Sequence, residues 1–145
     1  KLRLLIVGDG QIEYKDYCKS LAKDLGVSDI VQFTGYLSNP YEIYQKSFGL
    51  LVCSEFEAMG RVTVEGMSAC LPVIAKNSGG TPELIIHGET GFLYDTTDEL
   101  IINIEKLMKN PALANKIGAQ GWEFAKDHFT TEKYSKNIYN IISSI

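Results

Sequence analysis

Residues 2–10 read Leu2-Arg3-Leu4-Leu5-Ile6-Val7-Gly8-Asp9-Gly10, "LRLLIVGDG". A near-continuous apolar run of strand length, closed by glycines, marks a strand covered on both faces, because a strand with one wet face would alternate. Such strands belong to parallel sheets, and a parallel sheet needs a crossover next. One follows. Ile12, Tyr17, Leu21 and Leu25 recur at helical intervals as an inner stripe, Gly26 sits just past the helix end, and residues 30–33 form a second strand closed by Thr34-Gly35.

The alternation continues outward from that first unit. A short helix is expected at 41–46 after Asn39-Pro40, a buried strand at 48–53, a helix at 62–69 and a strand at 72–75. After the loop Asn77-Ser78-Gly79-Gly80, Thr81-Pro82-Glu83 reads as an N-cap, a proline at the first helical position and an acid in the first turn. A turn at 87–91 leads to a last strand at 92–94. Thr96 with Glu99 makes a capping box for a helix ending near Asn110, Pro111 opens another, and Thr130 caps a final helix at 132–142. The expected fold class is α/β, a Rossmann-like open parallel sheet with helices on both faces. Such sheets bind ligands at the carboxyl ends of their strands, and the glycines Gly8, Gly35, Gly60, Gly79 and Gly80 all fall at that edge.

Composition narrows the function. The chain has 145 residues, 45% apolar and 22% charged, with a formal net charge of −4. That is one soluble domain's worth of chain. It lacks the basic face that a phosphate backbone requires, so no nucleic-acid partner is expected. No apolar run approaches the roughly 20 residues that span a bilayer, and the chain is expected to be cytoplasmic. Cys18, Cys53 and Cys70 are odd in number and set among apolar neighbours, which suggests buried thiols rather than disulfides or a metal site. The sequence begins at Lys1 and enters a strand at once, so it is expected to be a fragment of a larger protein.

Gly8-x-Gly10 after a strand invites a dinucleotide reading, but the third glycine of that fingerprint would fall at Glu13. Neither a GxxxxGK[ST] loop nor a GxSxG elbow is present. The more specific feature is Glu57-Ala58-Met59-Gly60-Arg61-Val62-Thr63-Val64-Glu65, two glutamates separated by seven residues. Gly66-Met67-Ser68-Ala69-Cys70-Leu71-Pro72-Val73-Ile74-Ala75 follows, then Gly79-Gly80-Thr81-Pro82-Glu83 and His87-Gly88-Glu89-Thr90-Gly91-Phe92-Leu93.

With Leu4–Gly10 and Phe33-Thr34-Gly35-Tyr36 ahead of them, these motifs resemble the retaining glycosyltransferases of family 4, the group 1 transferases of GT-B fold. The resemblance spans nearly the whole chain. It implies that residues 1–145 are the nucleotide-sugar (donor) binding domain, the C-terminal part of a two-domain enzyme, with the first strand-helix unit of this half missing. It assigns Glu65 to the ribose diol, where one carboxylate accepts from both hydroxyls, and Glu57 to the sugar ring as the catalytic residue. Gly60, Arg61 and Val62 offer helix N-terminal amides to the diphosphate or sugar. Gly35 and Tyr36 would meet the base, while Gly8, Gly79, Gly80 and Thr81 lie on the same edge as further donor contacts.

The sequence departs from the family at Ala58-Met59, at Arg61, where an apolar residue is usual, and at Gly66, a helix position where glycine costs up to about 1 kcal/mol relative to alanine. Close packing against a neighbouring element would explain Gly66. The arginine and lysine that neutralise the family's leaving group would lie before Lys1, as would the acceptor domain.

The resemblance implies transfer with retention through an oxocarbenium-like transition state, with no cofactor and no metal. The donor would be a UDP-sugar, with GDP- or ADP-sugars as alternatives. The isolated fragment is expected to be inactive. Polysaccharide assembly is the implied setting, with membrane association only through the missing domain. A non-catalytic nucleotide-sugar module and a GT-B epimerase remain as other readings. His87 is placed in a surface turn without chemistry, Trp122 and the late tyrosines in packing, and Tyr134, Ile138, Ile141 and Ile142 against the missing domain.

Overall fold

The computed structural model describes residues 2–144 and divides into two units, Lys1–Glu42 and Ile43–Ile145. In the first, the opening apolar run becomes β1 (Leu4–Val7), followed by α1 (Ile12–Asp24) and β2 (Val31–Gly35). β1 and β2 are parallel, with Leu4 opposite Val31 and Ile6 opposite Phe33. The register slips between Ile6 and Val7, which brings Val7 opposite Gly35. Gly35 has φ +71°, and its carbonyl accepts the Gly8 N–H at 2.9 Å.

α1 ends as the sequence predicts. Gly26 takes φ +67°, its N–H donates to the Lys23 carbonyl and the Val27 N–H to the Ala22 carbonyl, both at 2.9 Å. This is the Schellman arrangement, in which a left-handed residue returns two donors to the last turn. At the other end of the helix, Lys15 Nζ donates to Asp9 Oδ1 at 2.6 Å. That bond, aided by the Gly10 N–H, holds the Asp9 carboxyl below its ordinary value.

Burial in this unit differs from the expectation. Leu4, Leu5, Ile6 and Val7 are all exposed, as are Ile12, Tyr17, Leu21 and Leu25, and only Ala22 of α1 is buried. An apolar run records which residues want cover. It does not supply the layer that covers them, and a two-stranded ribbon with one helix buries little on its own.

The second unit has that layer. α2 (Tyr41–Lys46) runs across the boundary and is followed by β3 (Leu50–Val52), α3 (Arg61–Ser68), β4 (Val73–Lys76), a 3-10 turn (Thr81–Glu83) and β5 (Phe92–Tyr94). The chain finishes with α4 (Thr97–Lys109), α5 (Pro111–His128) and α6 (Thr131–Ser143). The strands pair in parallel in the order β3-β4-β5. Strands therefore pair within units, as two parallel sheets. Strand-helix alternation fixes the sense of pairing without fixing how many strands share one ladder.

β4 alternates between two cores. Val73 and Ala75 pack with Met67, Leu84, Ile85 and Ala125, while Ile74 packs with Phe92, Leu107, Ala114 and Ile117. Helices thus cover both faces, and β4 is the strand that the continuous-run argument describes. Thr96 and Thr130 cap α4 and α6 through Glu99 and Lys133 N–H groups. Gly66 also has its reason: a Cβ there would overlap Leu50 Cδ2 and stand 3.2 Å from Val73 Cγ2.

α3 ends in the same arrangement as α1, but with a cysteine in the left-handed position. Cys70 has φ +58°, its N–H donates to Met67 at 2.9 Å, and Leu71 N–H reaches the Gly66 carbonyl at 3.0 Å. Cys70 and Cys53 are exposed and Cys18 half-buried, which corrects the expectation of buried thiols; a turn that leaves a helix lies at the surface. Since a left-handed L-residue costs roughly 1–2 kcal/mol and glycine loses part of that gain through its freer unfolded chain, Cys70→Gly is expected to stabilise the protein by about 0.5–1 kcal/mol. Thermal denaturation should show a melting temperature higher by a few degrees. An unchanged or lower value would mean that the turn is not strained.

β5 forms one edge of its sheet. Leu93 turns its N–H and carbonyl outward; His87 Nδ1 accepts the N–H at 3.1 Å, and Asn103 Nδ2 donates to the carbonyl at 3.5 Å. A cleft of about 440 Å³ beside it is lined by these residues with Asn77, Asp95 and Glu99. Trp122 and Tyr139 are exposed rather than packed, and Tyr134, Ile138, Ile141 and Ile142 form an exposed apolar set on α6. Among the described residues no helix is long and apolar enough to cross a membrane.

Candidate functional site

The site grows from the loop that carries the chain from β3 to α3. Gly60 stands at the N-cap of α3 with φ +63° and ψ +39°, and a Cβ on it would meet Leu84 Cδ1 at 2.5 Å. The left-handed backbone and the close approach of Leu84 both favour glycine there. Arg61 and Val62 follow as the first two helical residues, whose main-chain N–H groups lie before the first intrahelical bonds, made by Thr63 and Val64 to the Gly60 carbonyl. α3 has no acidic residue in its first turn, so these donors and the positive end of the helix dipole are not neutralised from within the helix.

Glu57 is half-buried, and its Oε1 accepts the Gly60 N–H at 3.3 Å. The carboxylate thus folds back onto the start of α3. Its own main-chain carbonyl accepts the Gly80 N–H at 2.7 Å. Gly79 has φ +56°, and a Cβ on it would overlap the Glu57 carbonyl oxygen, while one on Gly80 would lie 2.6 Å from the Ala58 carbonyl oxygen. The paired glycines are therefore the floor on which the Glu57 loop rests.

Thr81 is not the cap that the sequence suggests. Gly80 occupies the N-cap position of a three-residue 3-10 turn, Thr81 is its first residue, and Thr81 is buried. Its side chain is closed to a ligand, and so short a turn offers no extended run of free amides. Proline at the following position permits the turn to start one residue earlier than the threonine pattern implies.

Glu65 lies one turn along α3 from Arg61. Its Oε2 accepts the Tyr44 hydroxyl at 3.1 Å, and its Oε1 accepts Arg61 Nη2 at 3.4 Å. Burial, with the Glu65 charge and the hydrogen bond to it adding, pushes the Tyr44 phenol up to about 12. Tyr44 is thus a neutral donor throughout the physiological range. A cleft of about 410 Å³ opens beside Glu65, lined also by Ala58, Met59, Arg61, Val64, Gly80, Glu83, Leu84 and Phe129. Glu57 is not among its lining residues. The structure gathers Glu57, Gly60, Arg61, Val62, Glu65, Gly79 and Gly80 around the start of α3, with only Glu65, Arg61 and Gly80 on the cleft wall.

Gly8, Gly35 and Tyr36 belong to the first unit, where Gly8 and Gly35 are bonded to each other and Tyr36 is exposed. Tyr44 was missed by sequence reasoning. It lies 21 residues before Glu65, on a separate short helix, and no spacing rule connects them.

Against known proteins, the family described as glycosyl transferases group 1 matches residues 1–124. The chain belongs to the group 1 glycosyltransferases. Among its relatives, the N-acetyl-alpha-D-glucosaminyl L-malate synthase of Bacillus anthracis is 34% identical over 148 residues, covering 97% of this chain and 38% of that protein. The putative glycosyltransferase EpsD of Bacillus subtilis is 36% identical over 122 residues, covering 83% of this chain and 32% of its own length. The chain thus spans little more than a third of the curated relatives it matches.

In structure it superimposes on Anabaena HepE, solved in complex with UDP, with a TM-score of 0.88 at 28% identity, covering 99% of this chain and 41% of that one. HepE has also been solved with UDP-glucose. The structural relatives are glycosyltransferases of the GT-B type, so the α/β class expected from the sequence is the fold observed.

Proposed function

We propose that residues 1–145 are the donor-binding domain of a two-domain, retaining, metal-independent glycosyltransferase of family 4, which takes a nucleotide-diphosphate sugar, UDP-linked in the first instance. The observation that carries the reading is Glu65, a carboxylate held by Tyr44 and Arg61 at a cleft beside the free amides of α3. A vicinal diol donates two hydrogen bonds, and an ionised carboxylate accepts both with charge assistance. A diphosphate needs fixed donors and cations, which the Arg61 and Val62 N–H groups and the Arg61 guanidinium provide. UDP and UDP-glucose in HepE support the same ligand class here.

In the reaction, the bond between the sugar's anomeric carbon and the diphosphate oxygen breaks, and a bond to an acceptor hydroxyl forms on the same face while the hydroxyl proton passes to an oxygen of the departing diphosphate. Charge grows on the departing diphosphate, so donors that are already aligned lower the barrier without reorganising. Glu57 serves the sugar in this reading: one of its oxygens is committed to Gly60 N–H, which fixes the carboxylate's orientation and leaves Oε2 for a sugar hydroxyl. The acceptor is bound by the rest of the protein, in the cytoplasm at the inner membrane face, in polysaccharide assembly.

Calorimetric titration of the full-length protein with UDP-glucose, GDP-mannose and ADP-glucose tests the proposal. Saturable binding of one of them is expected, with transfer of its sugar by the full-length protein and no turnover by the 145-residue chain alone. Absence of binding to all three overturns the donor assignment, and enzymatic turnover by the isolated chain overturns the two-domain assignment.

A further inference from the structure

Arg61 is the first residue of α3, and its side chain is 79% exposed while it touches Glu65 at 3.4 Å. Three features make this contact provisional. An exposed ion pair of this kind contributes little, because water screens it and two flexible side chains must be held in register. The order is also the unfavourable one, with the cation toward the helix N-terminus and the anion one turn later. Finally, a positive charge at the start of a helix opposes the dipole; the first turn holds no acid, and the Glu57 carboxylate at that end is bonded to the Gly60 N–H. Tyr44 holds the other oxygen differently: it is a half-buried, neutral donor, at 3.1 Å, with a side chain less exposed and less flexible than arginine's.

We propose that Arg61 is a two-position residue that couples the phosphate and pentose ends of the site. Without ligand it covers Glu65 Oε1, and with ligand it moves to the diphosphate, leaving Oε1 open to the pentose diol while Tyr44 keeps Oε2 in place. This rests on the donor-binding reading of Glu65 given above. An arriving dianion satisfies the guanidinium and the α3 amides together, whereas a nucleoside without phosphate must displace Arg61 and offers it nothing in return. The site therefore rejects free nucleosides through competition for Glu65, in addition to the affinity that phosphate contributes directly. Arginine suits the role because its planar fork pairs equally with a carboxylate and with phosphate oxygens.

The test is a comparison of signs. Binding of UDP and uridine, GDP and guanosine, and ADP and adenosine to the full-length protein is measured by calorimetry, and the tightest pair is taken forward. In Arg61→Ala, diphosphate affinity is expected to fall about tenfold, the scale of a lost charge-assisted hydrogen bond. Nucleoside affinity should instead rise about two- to fivefold, the scale of an exposed ion pair no longer in competition.

Tyr44→Phe should weaken both ligands by a similar factor, since it positions the carboxylate for either. If Arg61→Ala lowers both affinities, or leaves the nucleoside unchanged, the coupling is wrong although the donor site stands. If no pair binds to the wild-type protein, or binding is indifferent to Glu65→Ala, the donor site falls and the coupling with it.

Discussion

Glu65→Ala is expected to weaken binding of the nucleotide-sugar about 100-fold and to leave the fold intact. Two charge-assisted hydrogen bonds to a diol contribute roughly 1.5 kcal/mol or more each, and about 3 kcal/mol corresponds to that factor. Glu65 is half-buried and helical, and alanine is a good helix former, so the loss falls on the ligand rather than on α3. The orphaned Tyr44 hydroxyl, itself only partly buried, can turn to water. Calorimetry on the variant measures the loss, and circular dichroism checks the helix content. Unchanged affinity with an intact fold would remove the residue from the site.

The second large effect is expected at Gly79. Alanine there would adopt a left-handed φ of +56° with its Cβ overlapping the Glu57 carbonyl oxygen and 3.0 Å from the Glu57 nitrogen. Main chain cannot rotate aside as a side chain can, so the loop must part from the glycine pair. The Gly80 N–H bond to Glu57, 2.7 Å long, goes with it. Strain and lost packing together come to about 2–4 kcal/mol, a fall of roughly 6–12 °C in melting temperature.

If Glu57 serves the sugar as proposed, transfer should fall more steeply than stability implies, because Glu57 is carried on the displaced loop and small misplacements of a reacting group are costly. Gly88→Ala is the control. Its φ is +81° with no atom within 4 Å of the added Cβ, so it reports strain alone, about 1 kcal/mol. Equal melting temperatures for the two variants would show that the contact with Glu57 carries no weight.

Residue patterns revealed the strand-helix order because periodicity, caps and turn glycines are local. Thr96, Thr130 and Gly26 do what their chemistry suggests, and the Glu57-Glu65 interval brought the start of α3 into view. Contacts made in space were harder to foresee. The apolar run at Leu4–Val7 demanded two covered faces, but cover is a property of neighbours, and β4 obtained it where β1 did not. Cys70 occupies a left-handed position that glycine patterns cannot flag. Thr81 looked like a cap because threonine before proline often is one, yet Gly80 is the cap and Thr81 the first residue of the turn. Tyr44 reaches Glu65 only through the fold, and Glu57 bends to Gly60 N–H in a way that no interval encodes.

At the rim of the second sheet, an imidazole and a carboxamide have taken the main-chain groups of Leu93 that would otherwise await a stranger. A newly synthesised copy passing close by finds no open rung there on which to add itself. Two ordinary side chains, His87 and Asn103, thereby close the middle of that edge to pairing between identical molecules.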